Sequence, residues 1–407
     1  MKLPGRTSLA ALTATALLAA VLASACGGAS QRHRIASATP TAGAAPPVPP
    51  LTAVRFVDEQ HGWLGGRGII LATADGGRSW QSGYTGPLTI LGFDFADLKH
   101  GWALAARGWS PVNPPGSKTV LDTLLGTTDG GRSWVTVSEL PYPISSLNFV
   151  SATTGFAIAY RLPSGPLTLV RTIDGGKNRQ AVSTPEQPVA TCFFDRQHGW
   201  VAALHPERQG APFPGLAVLR SDDGGHAWTT SFTVPWQDLQ SGGGPVGPFP
   251  VSAQLACRSD TTVWFLAHGA PEHFGVRAYH LYRTLDAGRR WRQVASSVAI
   301  PPGPGQTGPV GAPLALDAVD GQNAYLLTVC PPCGAPLPRV SLARTDNGGA
   351  SWRNLTPPVT SSAVAQVSLS FLAAERGWAV VQETISEEPP RLFETRNDGR
   401  TWVQRSP

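Results

Sequence analysis

Residues 127–134 read TTDGGRSW, and the same eight-residue pattern returns as TADGGRSW at 73–80, TIDGGKNR at 172–179, SDDGGHAW at 221–228, TLDAGRRW at 284–291, TDNGGASW at 345–352 and TRNDGRTW at 395–402. Its chemistry is that of a turn. A carboxylate or amide at the third position can accept from backbone N–H groups further along, glycine tolerates positive φ, and the Ser/Thr hydroxyl two residues earlier adds a local bond. The third positions are Asp75, Asp129, Asp174, Asp223, Asp286, Asn347 and Asn397, spaced by 54, 45, 49, 63, 61 and 50 residues. That period is the length of a four-stranded propeller blade.

A second pattern precedes each turn. An aromatic stands at Trp63, Trp102, Phe156, Trp200, Trp264, Tyr325 and Trp378, with glycine before it in five copies and Phe seven residues earlier in five. FVDEQHGWLGG and FADLKHGWALA thus read as strand, tight turn, strand. The predicted fold is all-β: a seven-bladed β-propeller of four-stranded antiparallel blades over residues 51–407. Eleven of the 13 tryptophans occupy the two repeat positions, so tryptophan here is chiefly core.

These paired motifs, F-x-D-x-x-x-G-W followed by T-x-D-G-G-x-[ST]-W, resemble the bacterial neuraminidase (Asp-box) repeat superfamily, and within it the photosystem II stability/assembly factor family. The resemblance covers residues 53–402. It implies a fold more than a function, since such propellers include sialidases, xyloglucanase-type hydrolases, receptors and assembly factors. A photosynthetic role is not carried over: the Ala-, Pro- and Arg-rich composition suggests a bacterium with GC-rich DNA.

The N-terminus carries Lys2 and Arg6, an apolar run over 9–22 and small residues before Cys26. This reads as a signal peptide over 1–25. LASAC resembles a bacterial lipobox with Ala23 where leucine is usual, which makes Cys26 the expected lipidation site. Residues 26–50 then form a disordered Ala/Pro-rich tether, and the protein is expected outside the cytoplasmic membrane, held by its lipid. Four of the five formal positive charges come from Lys2, Arg6, Arg32 and Arg34, because residues 51–407 hold 28 basic against 27 acidic side chains. Nucleic acid is therefore not an expected partner, and a monomer is expected.

In a propeller the strand 1–2 turns and the repeated turns share one face, and the strand 2–3 loops and blade connections the other. The second set varies from GRG in the first unit to GWSPVNPPGSKT and HPERQGAPFPG, as a loop-built binding surface would. Trp109 and Trp236, the tryptophans outside the repeat positions, together with Phe213 and Phe274, are the expected exposed ligand contacts there. Arg171, Arg220, Arg283 and Arg344 stand three residues before the turn residue in four consecutive units. They either form a ring segment that recognises carboxylates of a partner or pair with neighbouring blades. His268, Glu272, His273 and His280 have no metal-ligand spacing and read as solvated loop residues, so neither metal nor cofactor is expected.

Four cysteines remain after Cys26. Cys192 and Cys257 fall eight and seven residues before their aromatics, on strand 1 of adjacent units with opposite side-chain parity, which predicts a disulfide between them. Cys330 and Cys333, in CPPC, are expected to form a local disulfide. The function these features favour is a noncatalytic binding or assembly scaffold for a cell-envelope protein or peptide, or a glycan. The alternative is a glycoside hydrolase of sialidase-like or xyloglucanase-like type, for which a single propeller lacks the second catalytic half and no early Arg-Ile-Pro element is present.

Overall fold

A computed structural model of the chain describes residues 6–7, 50–107, 122–160, 166–207, 214–239, 252–271, 277–296, 312–330, 339–355, 357–359, 364–372, 375–383 and 390–407. Each repeated turn closes on itself. In the first, the Thr73 hydroxyl donates to Asp75 Oδ1 at 2.8 Å and accepts from Gly77 N at 2.9 Å, while Asp75 Oδ1 accepts from Ser79 N at 2.9 Å. Gly76 and Gly77 have φ of 73° and 84°, conformations that cost glycine little. The hydroxyl-to-glycine bond recurs at Thr127, Thr172, Ser221, Thr284, Thr345 and Thr395.

Every repeated turn is also tied to the strand 1–2 turn of its own unit. Gly76 N donates to Gln60 O, and the same bond joins Gly130 to Lys99, Gly175 to Thr153, Gly224 to Gln197, Ala287 to Thr261, Gly348 to Gln322 and Asp398 to Glu375. The two kinds of turn thus lie together at one end of the molecule.

The strands between them assemble into a β-propeller of four-stranded antiparallel blades, such as Gln187–Phe193, Gly199–His205, Gly215–Ser221 and Thr229–Val234. First strands of successive units touch in a closed cycle, from Leu51–Phe56 through Gln81–Phe95, Ile144–Phe149, Gln187–Phe193, Ser252–Cys257 and Ala312–Ala318 to Val364–Phe371, which returns to Leu51–Phe56. The expectation of seven separate blades needs correcting: the described residues form six sheets, one of them six-stranded. Gly62–Thr73 runs without a break through GRG, and Gln81–Phe95 runs from the first unit into the second. A loop too short to interrupt pairing leaves these two units in one sheet. The two-residue strand Arg6–Thr7 pairs with Ser252–Cys257.

Seams between units are aromatic. Trp63 stacks on Phe95 at 3.6 Å, and Trp102 on Phe149, Phe156 on Phe193, Tyr325 on Phe371 and Trp378 on Phe56 each at 3.5 Å. This accounts for the glycine before the aromatic. A Cβ on Gly62, Gly101, Gly155, Gly199 or Gly377 would run into the Phe ring of the same unit. The two units that lack the Phe, having Cys257 and Ala318, also lack the glycine, having Val263 and Ala324.

Beside four of these five stacks, all but Trp63 on Phe95, the residue before the Phe position accepts a hydrogen bond from the next unit's backbone. Asp94 takes Phe149 N, Asn148 takes Phe193 N, Asp317 takes Phe371 N at 2.6 Å, and Ser370 takes Phe56 N at 2.9 Å. At the seam between the fourth and fifth units those same two positions are Cys192 and Cys257, joined as a disulfide with Cα atoms 5.9 Å apart. A covalent bond stands there in place of a hydrogen bond.

Candidate functional site

The four arginines face their neighbours. Each guanidinium lies over the aromatic of its own unit, 5.5 to 5.7 Å from the ring centroid: Arg171 over Phe156, Arg220 over Trp200, Arg283 over Trp264 and Arg344 over Tyr325. Such contacts are attractive through the ring quadrupole. Beyond the ring, each reaches the next unit's turns. Arg171 abuts Gly224, Arg220 Nη1 donates to Ala287 O at 2.8 Å, Arg283 Nη1 donates to Gly321 O at 2.5 Å, and Arg344 Nη1 pairs with Asp398 Oδ2 at 2.6 Å. Burial pulls the Arg283 guanidinium below its ordinary value, with Arg292 adding to the shift.

Where the sequence has Ala72 and Gly126 instead, the strand 2 indole makes the bond itself: Trp63 Nε1 donates to Gly130 O at 3.0 Å and Trp102 Nε1 to Gly175 O at 2.8 Å. In the last unit the position is Glu394. Arg376 there lies over Trp378 and reaches Glu59 O and Gly76 O of the first unit. All these groups clasp successive units together.

At the opposite end, where strands 2 and 3 are joined, the described residues of the fourth and fifth units bring together a second set. Trp236 was expected to be exposed, and the structure corrects this. It is 6% exposed, packed with Leu239 into the core cluster that holds Trp200 and Phe265. The physical reason is a 3-10 turn over Trp236–Leu239, which folds the indole onto Gly215–Ser221, Val263–Pro271 and Arg277–Thr284. Glu207 Oε1 caps this turn by accepting from Trp236 N at 2.7 Å. Close by in the chain, His205 Nδ1 contacts Glu186 Oε1 at 2.8 Å, while the buried Glu186 Oε2 has no hydrogen-bond partner among the described residues.

Asp238, on the turn, faces His280 and Tyr282. Burial pushes the His280 imidazole down, against a bond the ring donates to the Asp238 backbone, and burial with the Asp238 charge pushes the Tyr282 hydroxyl up to about 12. His268 is 6% exposed, not solvated. Glu186, His205 and Glu207 were not singled out from sequence: they come from a connection, a strand end and a loop, with no spacing that links them. Among the described residues no group of three or more His, Cys, Asp or Glu is placed to hold a metal ion, and no helix is long and apolar enough to cross a membrane. Cys26, Trp109, Phe213, Phe274 and Cys333, and the side chain of Cys330, lie outside the described residues.

The fold places the chain among the β-propellers. No family model matches it, and no curated protein does. Solved structures similar to it include YCF48 bound to D1 peptide, at 16% identity and TM-score 0.42 over 78% of this chain and 81% of that one. YCF48 from Cyanidioschyzon merolae gives 16% identity and TM-score 0.48 over 87% and 97%. A prolyl endopeptidase gives 11% identity and TM-score 0.53 over 87% of this chain and 49% of that one, so the chain spans about half of the endopeptidase. Identities this low reach the fold alone.

Proposed function

We propose that the chain is an exported, lipid-anchored propeller of the Asp-box type that serves as a noncatalytic scaffold, holding a cell-envelope protein or peptide at the strand 2–3 end of its fourth and fifth units. In this reading residues 1–25 are a signal peptide, Cys26 carries the lipid, 26–50 are the tether and 51–407 the propeller. The six-stranded sheet then counts as two blades, giving seven. Cys330 and Cys333 close a local disulfide.

The observation that carries the binding site is the arrangement around Glu186. A buried carboxylate oxygen of Glu186 has no hydrogen-bond partner among the described residues, beside the half-exposed His205, and the adjoining turn is held by Glu207. A buried acceptor left open costs stability in the free protein, and a donor on a bound polypeptide would satisfy it. The arginines at the other end are engaged between units and offer little to a partner.

A photo-crosslinker placed at His205 or Glu207 in the full chain, in its own envelope, should capture one defined polypeptide, and the same probe at Ser133 should not. Capture at Ser133 alone would place the partner on the wrong end. Turnover of a glycoside by the purified chain, lost on changing a carboxylate, would overturn the noncatalytic reading.

A further inference from the structure

Glu394 makes the last unit unlike the others. Its side chain is 3% exposed, and its carboxylate gathers three guanidinium groups: Arg376 at 3.0 Å, Arg396 at 2.8 Å and Arg405 at 2.8 Å. Charge alone therefore leaves this cluster at +2. Arg376 spends its remaining donors on Glu59 O and Gly76 O. Arg396 and Arg405 stay 54% and 40% exposed and border a depression of about 150 Å³, completed by Glu394, Asn397, Thr401 and Val403.

The turn itself also differs from that of the first units, a difference the sixth unit shares through Asn347 and Ser351. In the first two units the serine hydroxyl is consumed, since Ser79 donates to Asp75 Oδ2 and Ser133 to Asp129 Oδ2, both at 2.6 Å. In the last unit the turn residue is an amide and the bond reverses: Asn397 Nδ2 donates to Thr401 Oγ1 at 2.9 Å. Among the described residues the threonine proton has no acceptor, which leaves it to donate. Replacing Asp by Asn thus removes a negative charge and gains a hydroxyl donor at the rim that the two arginines border.

We propose that this depression is a binding site for a doubly charged oxyanion of phosphate type, held between Arg396 and Arg405 with the Thr401 hydroxyl as a further donor. A dianion matches the +2 of the cluster, whereas a monocarboxylate leaves it half compensated. Guanidinium groups bind phosphate oxygens through charge-assisted bonds of defined geometry. The volume holds one tetrahedral ion with water, given about 30 Å³ for each water.

The test is calorimetric titration of the purified full chain with inorganic phosphate at constant ionic strength and a pH where it is a dianion. Saturable binding is expected, weakened about tenfold or more by Arg396→Ala and again by Arg405→Ala. Asn397→Asp is the decisive variant. Five other units carry Asp at this place, so folding should survive, yet binding should fall by a similar factor as charge returns and the hydroxyl is recaptured. Absence of saturable binding, or Asn397→Asp binding phosphate as tightly as the parent, would overturn the proposal, as would acetate binding equally well. Vesicles of phosphatidic acid against phosphatidylcholine identify the source. Binding to the former that Asn397→Asp abolishes marks a lipid headgroup, and phosphate binding without vesicle binding marks the free ion, both supporting the site.

Discussion

Breaking the Cys192–Cys257 bridge tests how the ring is held. The bridge closes a loop with a sequence separation of 65 residues, and a cross-link of that span removes unfolded-state entropy worth about 4 kcal/mol at 25 °C. With an unfolding entropy of about 2 cal/mol/K per residue, that loss lowers the melting temperature of a chain this size by roughly 5 °C. Packing contributes separately, because both cysteines are fully buried. Single and double variants divide the two effects. Cys192→Ala already opens the bridge, so adding Cys257→Ala should cost only the second cavity, about 1 kcal/mol for a single small group. Scanning calorimetry of the parent, the single and the double variant under non-reducing conditions gives the answer. The reasoning fails if the single variant melts with the parent, or if the second substitution costs as much as the first.

Two further outcomes follow from buried residues at the second and third units. Asp122 is 3% exposed, and burial raises its carboxyl from 3.8 to about 6 against one bond from Ile144 N. The folded state therefore holds a proton that the unfolded chain releases between those pH values, so the charged form costs about 3 kcal/mol above pH 6 and nothing below about pH 4. Asp122→Asn should raise stability at pH 7 by most of that amount and leave it unchanged at pH 4; urea unfolding at the two pH values that shows a constant difference would contradict this. The third unit lacks its closing tryptophan, and a small apolar void of about 20 Å³ lined by Leu124, Phe149 and Phe156 borders Arg179. Arg179→Trp should place an indole edge-on to Phe149, as Trp80 stands to Phe56 at 6.1 Å, and gain about 1 kcal/mol from filling and the aromatic pair, less the arginine's bonds to Ser138 and Gly176. A lower melting temperature would show that the void is not shaped for the ring.

The turn and the strands beside it were legible in the sequence because their chemistry is local. Thr73, Asp75, Gly77 and Ser79 satisfy one another within a few residues, so the repeat can be read without knowing any neighbour. The grouping of the two turn types at one end was legible for the same reason. The parity that set Cys192 toward Cys257 is likewise a property of single strands.

What required the tertiary structure are the bonds between units. Arg220 is anchored by a carbonyl 67 residues away, Arg344 by a carboxylate 54 away, and Arg376 by a carbonyl of the first unit. No spacing rule distinguishes a clasp from an exposed cation. The burial of Trp236 depended on a 3-10 turn folding it onto two blades, and the matched loss of Phe and Gly in the fifth and sixth units becomes intelligible only when ring and backbone are seen to occupy the same space. Local hydrogen bonds are written in the order of residues; contacts across a closed ring depend on which units end up side by side, and that is decided by packing.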